Sequence, residues 1–319
     1  MAATQNRPGG QPDERSALAG LNPRRYLRRG ADPASGQVGA PHTPAERAIQ
    51  ILALAVLIFV ALLMFVPFLY SVATSFKTIP EAAQLSIGNM FWPDEGTTAA
   101  YQTAFDSNIA RWFFNSVFVA LCWIVGRAIM DTMAGYAFAR MQFPGRDILF
   151  IFVLGTMMVP GIVTVVPKFI LLRDLGLLDT YGALTIPFLA DAFGIFLMKQ
   201  FFESIPRDLE EAARIDGANR YQIFRQIVLP NAIPAVAALA IFSFQGSWNA
   251  FLEPVLFTAG AGTDLYTLPV GLANFRAQFN TNWPVLMAIA VITTVPMAIF
   301  FLVFQRYFIA SNVSSGIKG

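Results

Sequence analysis

Ser204-Ile-Pro-Arg-Asp-Leu-Glu-Glu-Ala-Ala-Arg-Ile-Asp-Gly-Ala-Asn-Arg-Tyr-Gln-Ile-Phe-Arg-Gln-Ile-Val-Leu-Pro230 is a polar island set between two apolar runs. It reads as two short helices joined by a turn. Pro206 suits a first helical position, where its missing N–H costs nothing. Asp208, Glu210 and Glu211 follow at the positive end of that helix, where acids are favoured. Gly217 is free to take a positive φ and stop it. Asn219 then caps a second helix, with Gln222 three residues on in a capping-box arrangement. Leu209, Ala212 and Ala213 give the first helix an apolar stripe, and Tyr221, Phe224 and Val228 give the second another. Pro230 and Pro234 break the pattern before the next apolar run. Four Arg (207, 214, 220, 225) balance four acids (208, 210, 211, 216). A neutral amphipathic pair is a poor lipid-surface anchor, which needs excess Lys and Arg. It suits a groove on a protein partner, or is an ordinary loop.

The rest of the chain is a membrane protein by composition. Of 319 residues, 55% are apolar and 13% charged, where soluble domains carry about 25% charged residues. The net charge of +2 gives no basic face for nucleic acid. Cys122 is the single cysteine and His42 the single histidine. A disulfide framework, a His-based triad in the membrane region and a His metal site are thereby excluded. Of the four Lys, only Lys77 is followed by Ser or Thr, and Phe76 stands where a phosphate-binding loop needs Gly. The chain is expected to be no enzyme, to bind no metal or cofactor, and to draw its energy from a partner.

Residues 1–47 hold six Gly, six Pro, seven Arg and four acids and read as a disordered basic tail. A charge-free run from there to Lys77 exceeds the roughly 20 residues needed to span a bilayer. Five more apolar stretches follow, at 112–139, 148–171, 182–202, 232–257 and 284–307. The expected fold class is therefore all-α with six transmembrane helices. The domains are the tail, a membrane domain over 48–310 carrying the 204–230 loop, and a short tail at 311–319. Sixteen Lys and Arg fall on the side of the termini and that loop, against five on the other. The positive side is cytoplasmic, so both ends and residues 204–230 are expected inside. Outside, 77–111 and 259–283 form two long loops with scattered Trp and Tyr.

The wording of the central stretch is specific. Glu211-Ala212-Ala213, Asp216-Gly217-Ala218, Phe224, Ile227 and Leu229-Pro230 resemble the EAA loop of ABC importer permeases. Ile205-Pro206 and Asp216-Gly217-Ala218 are similar to the carbohydrate-importer branch, the maltose-permease-like inner subunits. Asn115-Ser116, Ala134-Gly135-Tyr136-Ala137-Phe138-Ala139-Arg140, Phe143-Pro144-Gly145, Trp248-Asn249-Ala250-Phe251 and the closing Gly316-Ile317-Lys318-Gly319 extend the resemblance from about residue 49 to the end. It implies a bacterial inner-membrane permease moving a sugar or polyol by alternating access. The implied partners are a second homologous permease, two ATPase subunits that use ATP and Mg, and an extracytoplasmic solute-binding protein. Glu211, Ala212, Ala213, Asp216, Gly217, Phe224, Leu229 and Pro230 are the implied ATPase-coupling residues. In relatives the last outer loop reaches toward the binding protein.

Polar side chains inside spans need a reason. Gln245, Asn249 and Glu253 fall at i, i+4 and i+8 and are expected on one helix face. With Trp248 beside them they line either a sugar path or a hydrogen-bonded seam between helices. Asp191 joins that cavity or caps a broken helix. Arg127 and Asp131, at i and i+4, are expected to neutralise one another. Pro160-Gly161 and Pro167 bend the third span or are tolerated in it. Two other classes compete. An ion-coupled secondary transporter would use acids such as Asp131 and Asp191 but would show internal repeats, and none is seen. A membrane scaffold would need no lined cavity. Within importers, an amino acid or peptide is the alternative solute.

Overall fold

Long charge-free runs make long helices here, and each Pro-bearing junction breaks one. The computed structural model describes residues 44–84, 88–278 and 282–315, helical throughout with no strand among the described residues. Most of the N-terminal tail and the closing Gly316–Gly319 lie outside them. The chain divides into two units, Met1–Val56 with Asn312–Gly319, and Leu57–Ser311. Of the first, only the opening turns of one helix and the last turn of another are described. The packed core belongs to the second.

Helix α1 (Pro44–Ser75) carries Pro67 in its interior. Its Leu57, Phe59, Leu62, Leu63, Met64 and Phe65 are all more than half exposed, an apolar surface fit for lipid or another chain. Short helices α2 (Ile79–Ala83) and α3 (Ala99–Asp106) lie in the following loop. Next comes α4 (Ile109–Arg140), then α5 (Arg146–Met157) and α6 (Gly161–Asp174). A short α7 (Tyr181–Thr185) runs into a tight turn at Ile186–Phe188 and then α8 (Ala192–Ser204). Helices α9 (Asp208–Ile215) and α10 (Arg220–Asn231) come from the polar island. The remainder is α11 (Ile233–Trp248), α12 (Leu252–Phe257), α13 (Leu268–Gln278) and α14 (Trp283–Ser315).

Among the described residues four stretches are long and apolar enough to cross a membrane: Arg47–Ser75, Ile109–Arg140, Tyr181–Ser204 and Trp283–Phe304. The number rises to six if each of two bent pairs is one span. The expected third span is one such pair, α5 and α6, bent by 103°. Pro160 lacks an N–H and pushes Val159 away from helical dihedrals, so winding stops at Met157. Pro167 is carried inside α6 without a break. The expected fifth span also differs. α11 meets α10 at 73° and ends at Trp248 rather than running to residue 257. At about 1.5 Å per residue its length is roughly 24 Å, short of a hydrocarbon core near 30 Å. The last helix runs to Ser315, through the expected start of a tail.

α4 packs along α8 and α11. Glycines make the approach close. A Cβ on Gly135 would stand 2.6 Å from Met198 Cβ, and one on Gly126 would stand 2.5 Å from a Leu189 methyl. In lipid, where burial of apolar surface drives little, such small-residue contacts are what hold helices together. We expect Gly135→Ala to force α4 and α8 apart at a cost of about 1–3 kcal/mol. The measurement is the thermal unfolding midpoint in detergent. Gly155→Ala, where nothing lies within 4 Å, is the control and should leave it near the wild-type value.

Candidate functional site

The polar island folds as its local chemistry dictates. Asp208, Glu210 and Glu211 occupy the first turn of α9. Pro206 falls two residues ahead of that helix, not in its first position. Gly217 takes φ +86°, its N–H donates to the Arg214 carbonyl at 3.1 Å, and the Ala218 N–H donates to the Ala213 carbonyl at 2.9 Å. This pair of bonds closes α9 in a Schellman turn. Asn219 then forms the expected capping box. Its Oδ1 accepts from the Gln222 N–H at 2.9 Å, and Gln222 Oε1 accepts from the Asn219 N–H at 2.8 Å. α10 starts with regular winding, widens to a π turn over Phe224–Val228 and becomes regular again at Leu229.

The turn is fastened to the packed helices by one charge. Arg140, the last residue of α4, places Nε 2.9 Å from Glu210 Oε1, and both side chains are nearly inaccessible, at 5% and 9% exposure. Arg140 Nη2 donates to the Phe202 carbonyl at 2.6 Å and also to the Ile205 carbonyl. Those carbonyls lie at the C-terminal end of α8, where a cation is favoured, and the Phe202 carbonyl also accepts the Ile205 N–H at 3.2 Å. One guanidinium therefore joins α4, α8 and α9. Around it Ala213, Ile223 and Val228 are buried against Met198, Phe202 and Leu239, and Phe224 sits 4.8 Å from the Tyr136 ring. The opposite face is uncovered: Leu209 is 45% exposed, Tyr221 66% and Ile215 87%.

At its other end α4 is clasped to the second long loop. Asn115 Nδ2 donates to the Asp264 and Tyr266 carbonyls at 2.8 and 2.9 Å, and its Oδ1 accepts from Tyr181 Oη at 2.6 Å. Ser116 Oγ accepts the Leu268 N–H at 2.8 Å, and Trp112 Nε1 donates to the Thr263 carbonyl at 3.0 Å. Asn115 is fully buried, so each of these bonds replaces one lost to water.

Between the two ends lie the charged residues of the spans. Arg127 Nη1 is 3.8 Å from Asp191 Oδ2, and its Nε donates to the Phe188 carbonyl at 3.0 Å. Asp131 is fully buried, and its Oδ1 accepts the Asp191 N–H at 2.9 Å, capping α8 from the neighbouring helix. Lys168 Nζ is 3.8 Å from Glu253 Oε1.

The family model described as "Binding-protein-dependent transport system inner membrane component" matches residues 131–312. The chain belongs to this family. It is 35% identical over 263 residues to the arabinooligosaccharides transport system permease protein AraQ of Halalkalibacterium halodurans, covering 82% of this chain and 94% of that one. It is also 35% identical over 277 residues to the diacetylchitobiose uptake system permease protein NgcG of Streptomyces coelicolor, covering 85% and 90%. Among solved structures, a bacterial ABC transporter involved in the import of the acidic polysaccharide alginate superposes with a TM-score of 0.74 at 26% identity, covering 84% of this chain and 99% of that one.

For this inner-membrane transport component several expected placements change. The first amphipathic stripe is split: Ala213 faces inward, but Leu209 and Ala212 face outward and Glu210 takes the buried place. Glu211, Asp216, Gly217 and Pro230 are exposed, while Phe224 and Leu229 are half-buried. Arg127 and Asp131 do not pair: the nearest ion partner of Arg127 is Asp191, and Asp131 Oδ2 has no hydrogen-bond partner among the described residues. Asp191 stands at the N-cap position of α8, but its side chain makes no cap hydrogen bond; Asp131 accepts its N–H instead. Gln245, Asn249 and Glu253 do not share a helical face, because winding ends at Trp248 and restarts at Leu252. Trp248 is 2% exposed and donates its indole N–H to the Thr293 carbonyl at 3.0 Å, so it packs in the core. Arg140, Glu210 and Lys168 carry contacts that sequence spacing does not show. We expect Arg140→Met to leave Glu210 buried without a partner and to cost about 3–5 kcal/mol. Arg140→Met with Glu210→Met should recover most of that, as measured by thermal unfolding in detergent.

Proposed function

We propose that the chain is the permease subunit of an ATP-driven importer that admits a sugar, whether oligosaccharide, disaccharide or polyol, into the cytoplasm. Residues 204–230 face the cytoplasm and are the docking element for an ATPase pair, which binds ATP and Mg in this chain's stead. A second homologous permease completes the membrane passage. An extracytoplasmic solute-binding protein delivers solute to the side where Asn115 and Ser116 hold the 259–271 loop. The sugar assignment leans on the relatives named for arabinooligosaccharides and diacetylchitobiose.

One observation carries the coupling role. The turn leaves Leu209, Ala212, Ile215 and Tyr221 uncovered on its outer face while a buried ion pair fixes its inner face. An apolar helical face of this kind fits a groove on a partner. Because Arg140 fastens α9 to α4 and α8 together, a push on the outer face reaches both helices at once. Displacement of a packed unit of this sort can switch the passage between its two openings. Asp216 and Gly217 set the angle between α9 and α10, and Glu211 lies exposed beside the apolar face.

A side chain added at Gly217 would meet nothing within 4 Å, so a larger residue there is opposed by the left-handed backbone alone. We expect Gly217→Leu to insert normally in the membrane but to lose co-purification of the ATPase and solute-stimulated ATP hydrolysis. Undiminished co-purification would remove the docking role from this turn. Ile215→Asp, on the uncovered face, should give the same loss without altering thermal stability.

A further inference from the structure

Lys77 is a buried cation with no acid beside it. It stands two residues past the end of α1 and is only 4% exposed. Among the described residues no carboxylate lies within 4 Å of its Nζ, and Nζ donates no hydrogen bond. The Tyr70 ring is its neighbour, with Nζ 5.8 Å from the centroid. A ring face attracts a cation more weakly than an anion does. Lys77 lines a cavity of about 280 Å³ together with Thr78, Thr97, Thr103 and Asn282. Ala99 and Ala100, from the first turn of α3, line it too. Thr98, at the head of α3, makes no side-chain cap. The Ala99 N–H reaches Thr97 Oγ1 at 3.2 Å, and the Ala100 N–H has no acceptor among the described residues.

The walls are rich in donors and hold no counter-charge. Buried charges in proteins are paired, because desolvation without a partner is costly. No Asp or Glu is among the lining residues. Glu81, four residues on from Lys77, gives Oε1 to the Asp94 N–H at 2.7 Å. Thr97 Oγ1 accepts the Ala99 N–H and Asn282 Oδ1 accepts the Val285 N–H at 3.4 Å, so the Thr97 hydroxyl proton and Asn282 Nδ2 remain to donate. Thr78 caps nothing with its side chain. The first turn of α3 adds the positive end of a helix, where an anion is favoured. Depth narrows the choice of anion. Lys77 follows the apolar span of α1 and Asn282 precedes that of α14, so the cavity stands where both spans leave hydrocarbon. Half-exposed Trp283 at the same point fits the membrane–water interface. Lipid headgroups occupy that level.

We propose that this cavity binds a phosphoryl oxyanion, with Lys77 as its counter-charge and Thr78, Thr97 and Asn282 as hydrogen-bond donors. The group is carried by a phospholipid headgroup or is free phosphate. A water takes about 30 Å³, so the cavity holds a tetrahedral oxyanion with waters to spare. Bound there, the anion ties the end of α1 to the heads of α3 and α14. The site stands on this geometry alone and does not depend on the importer reading.

The test uses the full-length chain in its purified complex, delipidated in detergent, with the thermal unfolding midpoint as the readout. A ligand that binds only the folded form raises that midpoint. Four additions are compared: inorganic phosphate, sodium chloride at matched ionic strength, a short-chain phosphatidylglycerol and the matching diacylglycerol, which lacks phosphate. At tenfold excess over its dissociation constant the phosphoryl ligand should raise the wild-type midpoint by about 2–4 °C beyond its control. Phosphatidylglycerol acting at a concentration about tenfold or more below phosphate assigns the site to lipid. Phosphate acting while phosphatidylglycerol matches diacylglycerol assigns it to the free anion. Lys77→Met should abolish the shift and, without ligand, unfold no lower than the wild type, since it removes an unpaired buried charge. Asn282→Asp keeps a side chain suited to capping a helix but sets a carboxylate near Lys77, and should abolish the shift as well. If Lys77→Met does not fold, Asn282→Asp decides alone. An unchanged shift in either folded variant, or no wild-type shift beyond the controls with either phosphoryl compound, overturns the proposal.

Discussion

A buried guanidinium decides how this membrane protein is held together. Arg140 forms an ion pair with Glu210, Nε 2.9 Å from Oε1, and donates Nη2 to the Phe202 and Ile205 carbonyls. Removing two charges from water costs several kcal/mol per ion, and their attraction at 2.9 Å together with the bonds from Nη2 to two carbonyls works against that cost. The carbonyls lie at the C-terminal end of α8, where a cation is favoured. Everything on the outer face of the turn depends on it. Leu209, Ile215 and Tyr221 lie on the face away from this pair, and tilting α9 would separate two buried charges.

The same logic holds along α4. Its two ends are polar clasps, Asn115 with Ser116 at one and Arg140 at the other. Its middle is close packing against glycines. Asp131 and Gly194 combine both devices. A Cβ on Gly194 would stand 2.0 Å from Asp131 Oδ2, so only a hydrogen fits there. That small residue lets Asp131 reach the Asp191 N–H and end-cap a helix whose own first residue makes no side-chain cap. The broken fourth span is thus stabilised from its neighbour. Its kink at Ile186–Phe188 turns Phe188 onto Trp123 and leaves the Phe188 carbonyl free to receive Arg127.

Features set within a few residues were legible in the sequence. The Gly217 stop and the Asn219–Gln222 box depend on neighbours in the chain, and both formed as read. The family resemblance was legible for the same reason: residue types at fixed spacing over 204–230. What spacing could not give was partner choice across helices. Arg127 and Asp131 sit four apart, which suggests a pair, but the α8 crossing offers Asp191 to one and a backbone N–H to the other. Gln245, Asn249 and Glu253 share a face only if the helix continues, and it stops at Trp248. Glu210 looked like one more solvated acid because Arg140 is seventy residues away. The inward Trp248 shows how an aromatic beside a polar run can belong to the core instead.

The widened turn at Phe224–Val228 has a consequence for motion. Its closing bond runs from the Leu229 N–H to the Phe224 carbonyl, five residues back instead of four. Each such turn stores one surplus residue relative to ordinary winding. Moving that surplus along the chain changes the angular setting of all that precedes it by about 100°, with no helix unwound. The segment between the fastened turn and α11 is in this sense a swivel. It lies between the Arg140–Glu210 ion pair and the start of α11.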